Sequence, residues 1–256
     1  MKKVGNRFTD RTGENYTTNE GYEIEIIEYR GALDCDIQFE DGTILREMYY
    51  DNIRKGAVKN PYHPTTHGVG FIGIGKYVSS TEDKHTKNYK SWGGVLERCY
   101  SKELHKKRKT YVSCYITEEW KCFQNFAKWF EKNYNPETMQ GWELDKDILI
   151  KGNKVYSPET CCFVPQEINC LFTNCKSVRG KYPIGVTKTV NGKYKARINK
   201  NGDRIDLGLF DTPEEAFQAY KIAKEEYIKE VADLWRGQIT EPCYYAMYAY
   251  EVEITD

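Results

Sequence analysis

The chain has 256 residues, with 38 basic and 38 acidic side chains, so its formal net charge is zero although 30% of it is charged. It contains no run of 18 apolar residues, and its start, MKKVGNRF, lacks an apolar core, which argues against a membrane-spanning helix and a secretory leader and predicts a soluble, cytoplasmic protein. The nine cysteines (35, 99, 114, 122, 161, 162, 170, 175 and 243) are odd in number and form no Cys-x-x-Cys pair, which argues against a disulfide framework or a zinc knuckle. They read as buried thiols, with Cys99, Cys114 and Cys162 the one set conceivable as a metal group.

The zero net charge conceals a partition. Residues 84–109 carry nine Lys or Arg against two Glu, whereas residues 211–256 carry eleven acids against four bases. Basic patches beside acidic faces suit a protein that grips a polyanion on one side. Three compositional zones at this length predict a modular α+β chain of two or three small domains.

Residues 1–60 read as a small β barrel or sheet. Tyr22, Ile24 and Ile26 alternate with Glu23 and Glu25, and Cys35 to Phe39 alternate before an Asp41-Gly42 turn and a third run from Thr43 to Met48. The zone has no basic cluster and is expected to be an interaction or positioning module; a nucleic-acid-binding barrel is the sharper alternative. Residues 61–80 form a Gly/Pro-rich linker. His63 and His67 have a metal-like spacing there, but that spacing serves only on a helix, and Pro64 opposes one.

The zone 81–178 is expected to hold any chemistry. A helix is predicted from Glu118 to Tyr134, capped by Thr117, with Trp120, Phe123, Ala127 and Phe130 as a core stripe. A strand over Glu143 to Ile148, a loop at Gly152-Asn153, a strand over Cys161 to Val164 and a helix opened by Pro165 and carrying Asn169 then make a ββα unit.

From residue 179 to 236 the pattern changes to three short strands and a helix. The runs Ile184 to Val190, Lys193 to Asn199 and Arg204 to Phe210 are separated by Asn191-Gly192 and Asn201-Gly202, dipeptides that supply the positive φ of tight hairpins. Seven Lys or Arg (Lys181, Lys188, Lys193, Lys195, Arg197, Lys200, Arg204) face two acids, Asp203 and Asp206. Thr212-Pro213-Glu214-Glu215 then supplies an N-cap, a helix-compatible proline and a capping-box glutamate. Ala216, Ala219, Tyr220, Ala223 and Tyr227 follow at helical spacing, a small-residue face suited to a sheet. The plain alternative is a small α+β module with a solvated basic face. Residues 237–256 are expected to be a C-terminal strand or tail, with the alternation from Tyr248 to Val252 completing the chain's own sheet or adding a strand to a partner.

Two resemblances sharpen these expectations. Gly185-Val186, Gly192-Lys193-Tyr194, Ala196-x-Ile198, Gly202-x-Arg204, Leu207-Gly208-x-Phe210-Asp211-Thr212, Glu215-Ala216 and Ala219-Tyr220 resemble the APETALA-type (ethylene-response-factor) DNA-binding domain. The resemblance implies a three-stranded sheet packed on one helix and reading the DNA major groove. It implies DNA contacts from Lys188, Lys193, Tyr194, Lys195, Arg197, Lys200 and Arg204. Thr187, Tyr194 and Asp206 stand where that family has Arg, Trp and Trp, so its usual base sequence is not carried over.

The second resemblance covers residues 92–175. Arg98-Cys99, Tyr111, Cys114, Trp120, Phe123 and Phe126, with the ββα pattern, resemble phage HNH-type homing-like endonucleases joined to an APETALA-type domain. It implies Asp145 and Asn169 as ligands of one Mg²⁺ or Mn²⁺ at the scissile phosphate, and a catalytic set of Asp145, Lys146 and Asn169. Lys146 stands where that family places its general-base His; an ordinary lysine has a pKa of about 10.4 and is a poor base at neutral pH. Two readings follow: a metal-dependent endonuclease of double-stranded DNA, or a DNA-binding protein on a catalytically degenerate nuclease scaffold. The alternative from another class is a phage anti-defence inhibitor that binds a host defence protein or nuclease, or its nucleic acid.

Overall fold

A computed structural model of the chain describes residues 9–173 and 180–256. Cys175, and the boundary expected at 178/179, lie outside the described residues. The chain divides into two compact units, residues 1–76 and 77–256.

The first unit is an antiparallel meander. Strands β1 (Asn15–Thr17), β2 (Glu23–Gly31), β3 (Asp34–Phe39) and β4 (Ile44–Met48) lie in the order β1-β2-β3-β4, followed by helix α1 (Tyr50–Arg54). The sheet is open, with β1 and β4 as its edges, so the barrel alternative gives way to the sheet. Alternation does the sorting: Ile24, Ile26, Ile37 and Phe39 enter a core with Ile53, while Glu23 and Glu25 are exposed. At the Asp41-Gly42 turn, Gly42 takes φ +86° and the Asp41 carboxylate accepts from Thr43 N at 2.8 Å. Asp36 is buried and neutralised by Arg30 and Arg46, each at 2.6 Å. His63 donates or accepts one hydrogen bond with Tyr22, at 2.9 Å.

The second unit begins with a short ribbon, β5 (Ser80–Thr81) and β6 (Lys84–His85), then α2 (Lys87–Tyr100), α3 (Lys102–Lys107) and β7 (Tyr115–Ile116). The single helix expected over 118–134 is two, α4 (Glu118–Lys121) and α5 (Phe123–Asn133), because Cys122 is extended (φ −81°, ψ 121°). Residues six apart stand about 120° apart around an unbroken helix. The break lets both Trp120 and Phe126 be fully buried, with ring centroids 4.9 Å apart. Trp120, Phe123, Ala127 and Phe130 are core, as the spacing predicts.

Strands β8 (Glu143–Asp145) and β10 (Cys162–Val164) pair antiparallel, with Asp145 opposite Cys162 and Glu143 opposite Val164; β9 (Val155–Tyr156) pairs parallel with β7; α6 (Gln166–Leu171) follows Pro165. β8 is half the length the sequence predicts. The Asp145 carboxylate accepts the amides of Asp147 and Ile148, both at 2.8 Å, and turns the chain where the alternation would have continued.

Strands β11 (Val186–Lys188), β12 (Tyr194–Lys200) and β13 (Asp203–Phe210) form an antiparallel sheet backed by α7 (Pro213–Leu234), and α8 (Glu241–Tyr248) closes the unit. At Asn201-Gly202 both residues have positive φ (55° and 87°), as a tight hairpin of mirror-image turn type requires; at Asn191-Gly192 only the glycine does (82°). Residues 250–253 form neither helix nor strand, so the strand expected from the Tyr248–Val252 alternation is not formed, and the ordered element there is α8, which ends at Tyr248. Thr240 caps it by accepting from Cys243 N, Pro242 suits its first turn, and Cys243 and Met247 are buried four residues apart, a helical period. One core runs through the ββα strands, the three-stranded sheet and both C-terminal helices, joining Cys162, Val164 and Ile168 to Ala196, Ile198, Phe217 and Val231.

Candidate nucleic-acid interface and ββα centre

The register of the three-stranded sheet separates its side chains into two faces. Val186, Ala196 and Ile198 are buried under α7. The pairs Thr187 with Lys195, Lys195 with Leu209, Arg197 with Asp206 and Asn199 with Arg204 therefore lie on the outer face. A bulge between Ala196 and Arg197 skips Leu207 in the partner strand and brings Arg197 level with Asp206.

The outer face is cationic, with Lys195, Arg197 and Arg204 against Asp206. Asp206 accepts from Lys195 Nζ at 2.8 Å and Arg197 Nε at 2.7 Å. The Lys195 ammonium, then the Arg197 guanidinium, holds its carboxyl below the usual range. Arg204 is exposed and makes no ion pair among the described residues. The other residues of the expected DNA-contacting set stand elsewhere. Lys193 pairs with Asp211 at the hairpin. Lys200 pairs with Glu230 on α7. Tyr194 has the parity of the helix-facing side, with the Lys188 ammonium 5.5 Å from its ring and Tyr182 edge-on at 5.3 Å. The structure thus brings together three of the seven, and the distinction rests on strand parity.

In the ββα centre, Glu143 and Asp145 are two residues apart on β8 and share one face of it. Asn169 on α6 donates its side-chain amide to the Glu143 carboxylate, not to Asp145. Burial, then the charge of Asp147, pushes the Asp145 carboxyl up to about 6. Lys146 is buried; its ammonium donates to Asp147 Oδ2 at 2.9 Å and to the Asn153 carbonyl at 2.9 Å. Asn153 returns two bonds, from its amide to the carbonyls of Lys146 (2.6 Å) and Val155 (2.7 Å), so the lysine braces the loop between β8 and β9.

Two groups at this centre were not among the sequence candidates. Glu143 lies on β8 opposite Val164, two residues before Asp145. Arg98, on α2, comes to rest partly buried with its guanidinium carbon 5.9 Å from the Tyr156 ring centroid, and makes no ion pair among the described residues. The signal for Glu143 lay in the i, i+2 spacing to Asp145.

Among the described residues, no group of three or more His, Cys, Asp or Glu side chains is close enough to hold a metal. The ligand pair expected from the sequence is not brought together: the Asn169 amide is taken up by Glu143, and the Asp145 carboxylate by the amides of Asp147 and Ile148. The conceivable Cys99, Cys114 and Cys162 set is not formed: Cys162 lies against the Cys243 thiol, which with burial raises its pKa, and burial raises Cys99 to about 12. Such thiols pack as small apolar groups.

No protein-family model, curated protein or solved structure matches this chain. No helix among the described residues is long and apolar enough to cross a membrane.

Proposed function

We propose that the chain binds double-stranded DNA through the outer face of β11–β13. The observation that carries this reading is the segregation of charge by strand parity: three cations against one carboxylate outside, a packed apolar face inside. A two-stranded or three-stranded ribbon fits the major groove, and lysine and arginine on it bind phosphates and base edges. Exposed ion pairs are worth about 0–1 kcal/mol, so Asp206 releases its partners to phosphate at little cost.

The test is an electrophoretic or fluorescence titration of duplex DNA over a range of salt, with the Arg197→Ala/Arg204→Ala double variant beside the parent. Each lost phosphate contact should lower the slope of log affinity against log salt by about one, so the double variant should bind more weakly with a slope flatter by about two. An unchanged slope would take this face out of the interface.

A second reading is favoured by one arrangement, the two carboxylates on one face of β8 beside Asn169. In this reading the centre is a metal-dependent phosphodiesterase. Glu143, Asp145 and Asn169 would hold a divalent cation, which supplies charge neutralisation at the phosphate when bound. Lys146, fixed to Asp147 and Asn153, would hold the loop rather than take a proton, and Arg98 would offer its guanidinium to the phosphate. Nicking of supercoiled plasmid in Mg²⁺ or Mn²⁺, absent in EDTA and absent in Asp145→Asn, is the expected result. Equal nicking by that variant would send the chemistry elsewhere, and no nicking by the parent would leave the centre as part of a binding scaffold.

A further inference from the structure

A second cationic surface lies apart from the sheet, where α2 ends. Elsewhere in the second unit Lys121, Lys193, Lys200 and Lys221 each meet a neighbouring carboxylate. Residues 102–109 depart from that habit. They carry five cations and one acid, Glu103, and Glu103 takes Lys106 at 2.6 Å. Lys102, Lys107, Arg108 and Lys109 are exposed and make no ion pair among the described residues. Three of these are consecutive, so they repel one another with no acid to offset it, and a polyanion would relieve that repulsion.

The segment is held as a platform. Ser101 Oγ accepts from Leu104 N at 3.3 Å to start α3, and His105 Nε2 donates to the Arg98 carbonyl at 2.8 Å, which ties α3 to the end of α2. A single 3-10 turn, Lys109–Tyr111, follows. Val112 N donates to the Lys109 carbonyl at 3.2 Å and Cys114 N to that of Tyr111 at 2.9 Å, and the Cys114 side chain is buried. These turns lead into β7, where Ile116 is buried and Tyr115, of opposite parity, is 52% exposed. Six residues separate Tyr115 from Lys109, at most about 20 Å of extended chain and less across these turns. A merely solvated basic face needs no exposed ring beside it; this one has a ring fixed on a strand.

We propose that this surface, from α3 to β7, binds an unpaired DNA strand, with Lys102, Lys107, Arg108 and Lys109 on the phosphates and the Tyr115 ring stacked on a base. Cations along the backbone with an exposed ring under a base are what holds single strands with little regard to sequence. A duplex keeps its bases stacked inside, so the ring contributes there little or nothing. The surface shares no residue with the outer face of β11–β13. The choice of DNA rests on the reading of that face as a binder of duplex DNA; the roles of the cations and the ring do not.

The probe is a labelled oligodeoxythymidylate of about 12 nucleotides, a length within the range of single-strand sites, followed by fluorescence anisotropy on the full chain over a range of salt. Lys107→Ala/Arg108→Ala/Lys109→Ala should bind more weakly, with a slope of log affinity against log salt flatter by about two, since each phosphate contact on a single strand is worth about 0.7. Tyr115→Thr, which suits a strand but has no ring, should lose at least about fivefold with its slope unchanged, and Tyr115→Phe should bind as the parent does. All of these side chains are exposed or half-exposed, so the melting temperatures should stay at the parent's value. Arg197→Ala/Arg204→Ala should keep its oligodeoxythymidylate binding whatever it does to duplex, which separates a failure of this surface from a failure of the sheet. No binding by the parent, an unchanged slope in the triple variant, or full binding by Tyr115→Thr overturns the proposal. Polyglutamate bound as tightly as the oligonucleotide would also overturn it, because charge alone would then be the determinant, and an oligouridylate bound at least about tenfold more tightly would overturn the assignment to DNA.

Discussion

The outer face of the sheet and the ββα centre both pair lysine with aspartate, and the two pairs have opposite consequences. On the sheet, Lys195 and Arg197 share Asp206, whose side chain is 52% exposed. In the centre, Lys146 is 7% exposed and its ammonium is also held by the Asn153 carbonyl. Water makes the first pair exchangeable, so its cations are available to a polyanion. Burial makes the second permanent, because an unpaired ammonium there would carry the full desolvation cost. The two resemblances placed Lys146 among catalytic candidates and Lys195 among binding ones; exposure is what separates a charge that can meet a ligand from one that holds a loop.

The comparison breaks most severely at the inner face of the sheet. Gly185 has φ +77°, and a Cβ there would stand 2.1 Å from Cδ2 of Tyr220, a buried ring of α7. Gly185 also accepts from Arg197 N at 2.8 Å, so the same residue sets the approach of β11 to the helix and the pairing that carries the outer arginine. Gly185→Ala should cost about 3 kcal/mol or more, the combined effect of left-handed backbone and overpacking. Denaturant unfolding measures it. A loss below about 1 kcal/mol would mean that β11 moves freely over Tyr220 and that the two faces are not rigidly coupled.

In the ββα centre, Asp145 supplies the corresponding test. Its carboxyl is raised from 3.8 to about 6, so the folded chain binds a proton more tightly than the unfolded one between those values. The stability it contributes is therefore present at low pH and lost as pH rises through about 6. Asparagine keeps an oxygen for the amides of Asp147 and Ile148 and removes the charge. With partial solvent screening, Asp145→Asn should gain about 1–3 kcal/mol at neutral pH and nothing below about pH 4, since each pKa unit is worth about 1.4 kcal/mol. Unfolding midpoints at acid and neutral pH check this. A difference between variant and parent that does not change with pH would show Asp145 to be an ordinary solvated carboxylate.

How much of this was legible depends on how far apart the determining residues lie in sequence. Turns, caps and alternation are local, so the three strands, their hairpins and the start of α7 stand close to where the pattern predicts them. Asp145 and Asn169 were read as partners because each fits a role, yet the pairing is decided by the register of β8 on β10 and the approach of α6. Those contacts give Asn169 to Glu143. Likewise the break at Cys122 answers a packing demand between Trp120 and Phe126 that helical periodicity cannot express. The C-terminal alternation from Tyr248 to Val252 makes no strand: the residues after Tyr248 pair with no neighbouring strand among the described residues, and Val252 is buried with Cys243 and Met247 in the core of the unit.

The smallest effect separates two threonines that look alike in sequence. Thr117 and Thr212 both precede helices and both have extended backbone. Thr212 Oγ1 accepts from Glu215 N at 3.2 Å while Glu215 Oε2 accepts from Thr212 N at 3.2 Å, a closed reciprocal pair. Thr117 makes no cap bond, and its hydroxyl is buried without a partner among the described residues. The third residue of each helix accounts for the difference: glutamate in α7 can reach back to the cap, whereas in α4 that position is Trp120, which is committed to the core. Thr212→Ala should therefore cost about 1 kcal/mol, and Thr117→Ala should cost close to nothing, because it removes a hydroxyl that satisfies no amide. Parallel unfolding curves of the two variants decide it. Equal losses would mean that the hydroxyl at an N-cap position acts through the unfolded chain, and that the reciprocal glutamate contributes nothing to where α7 begins.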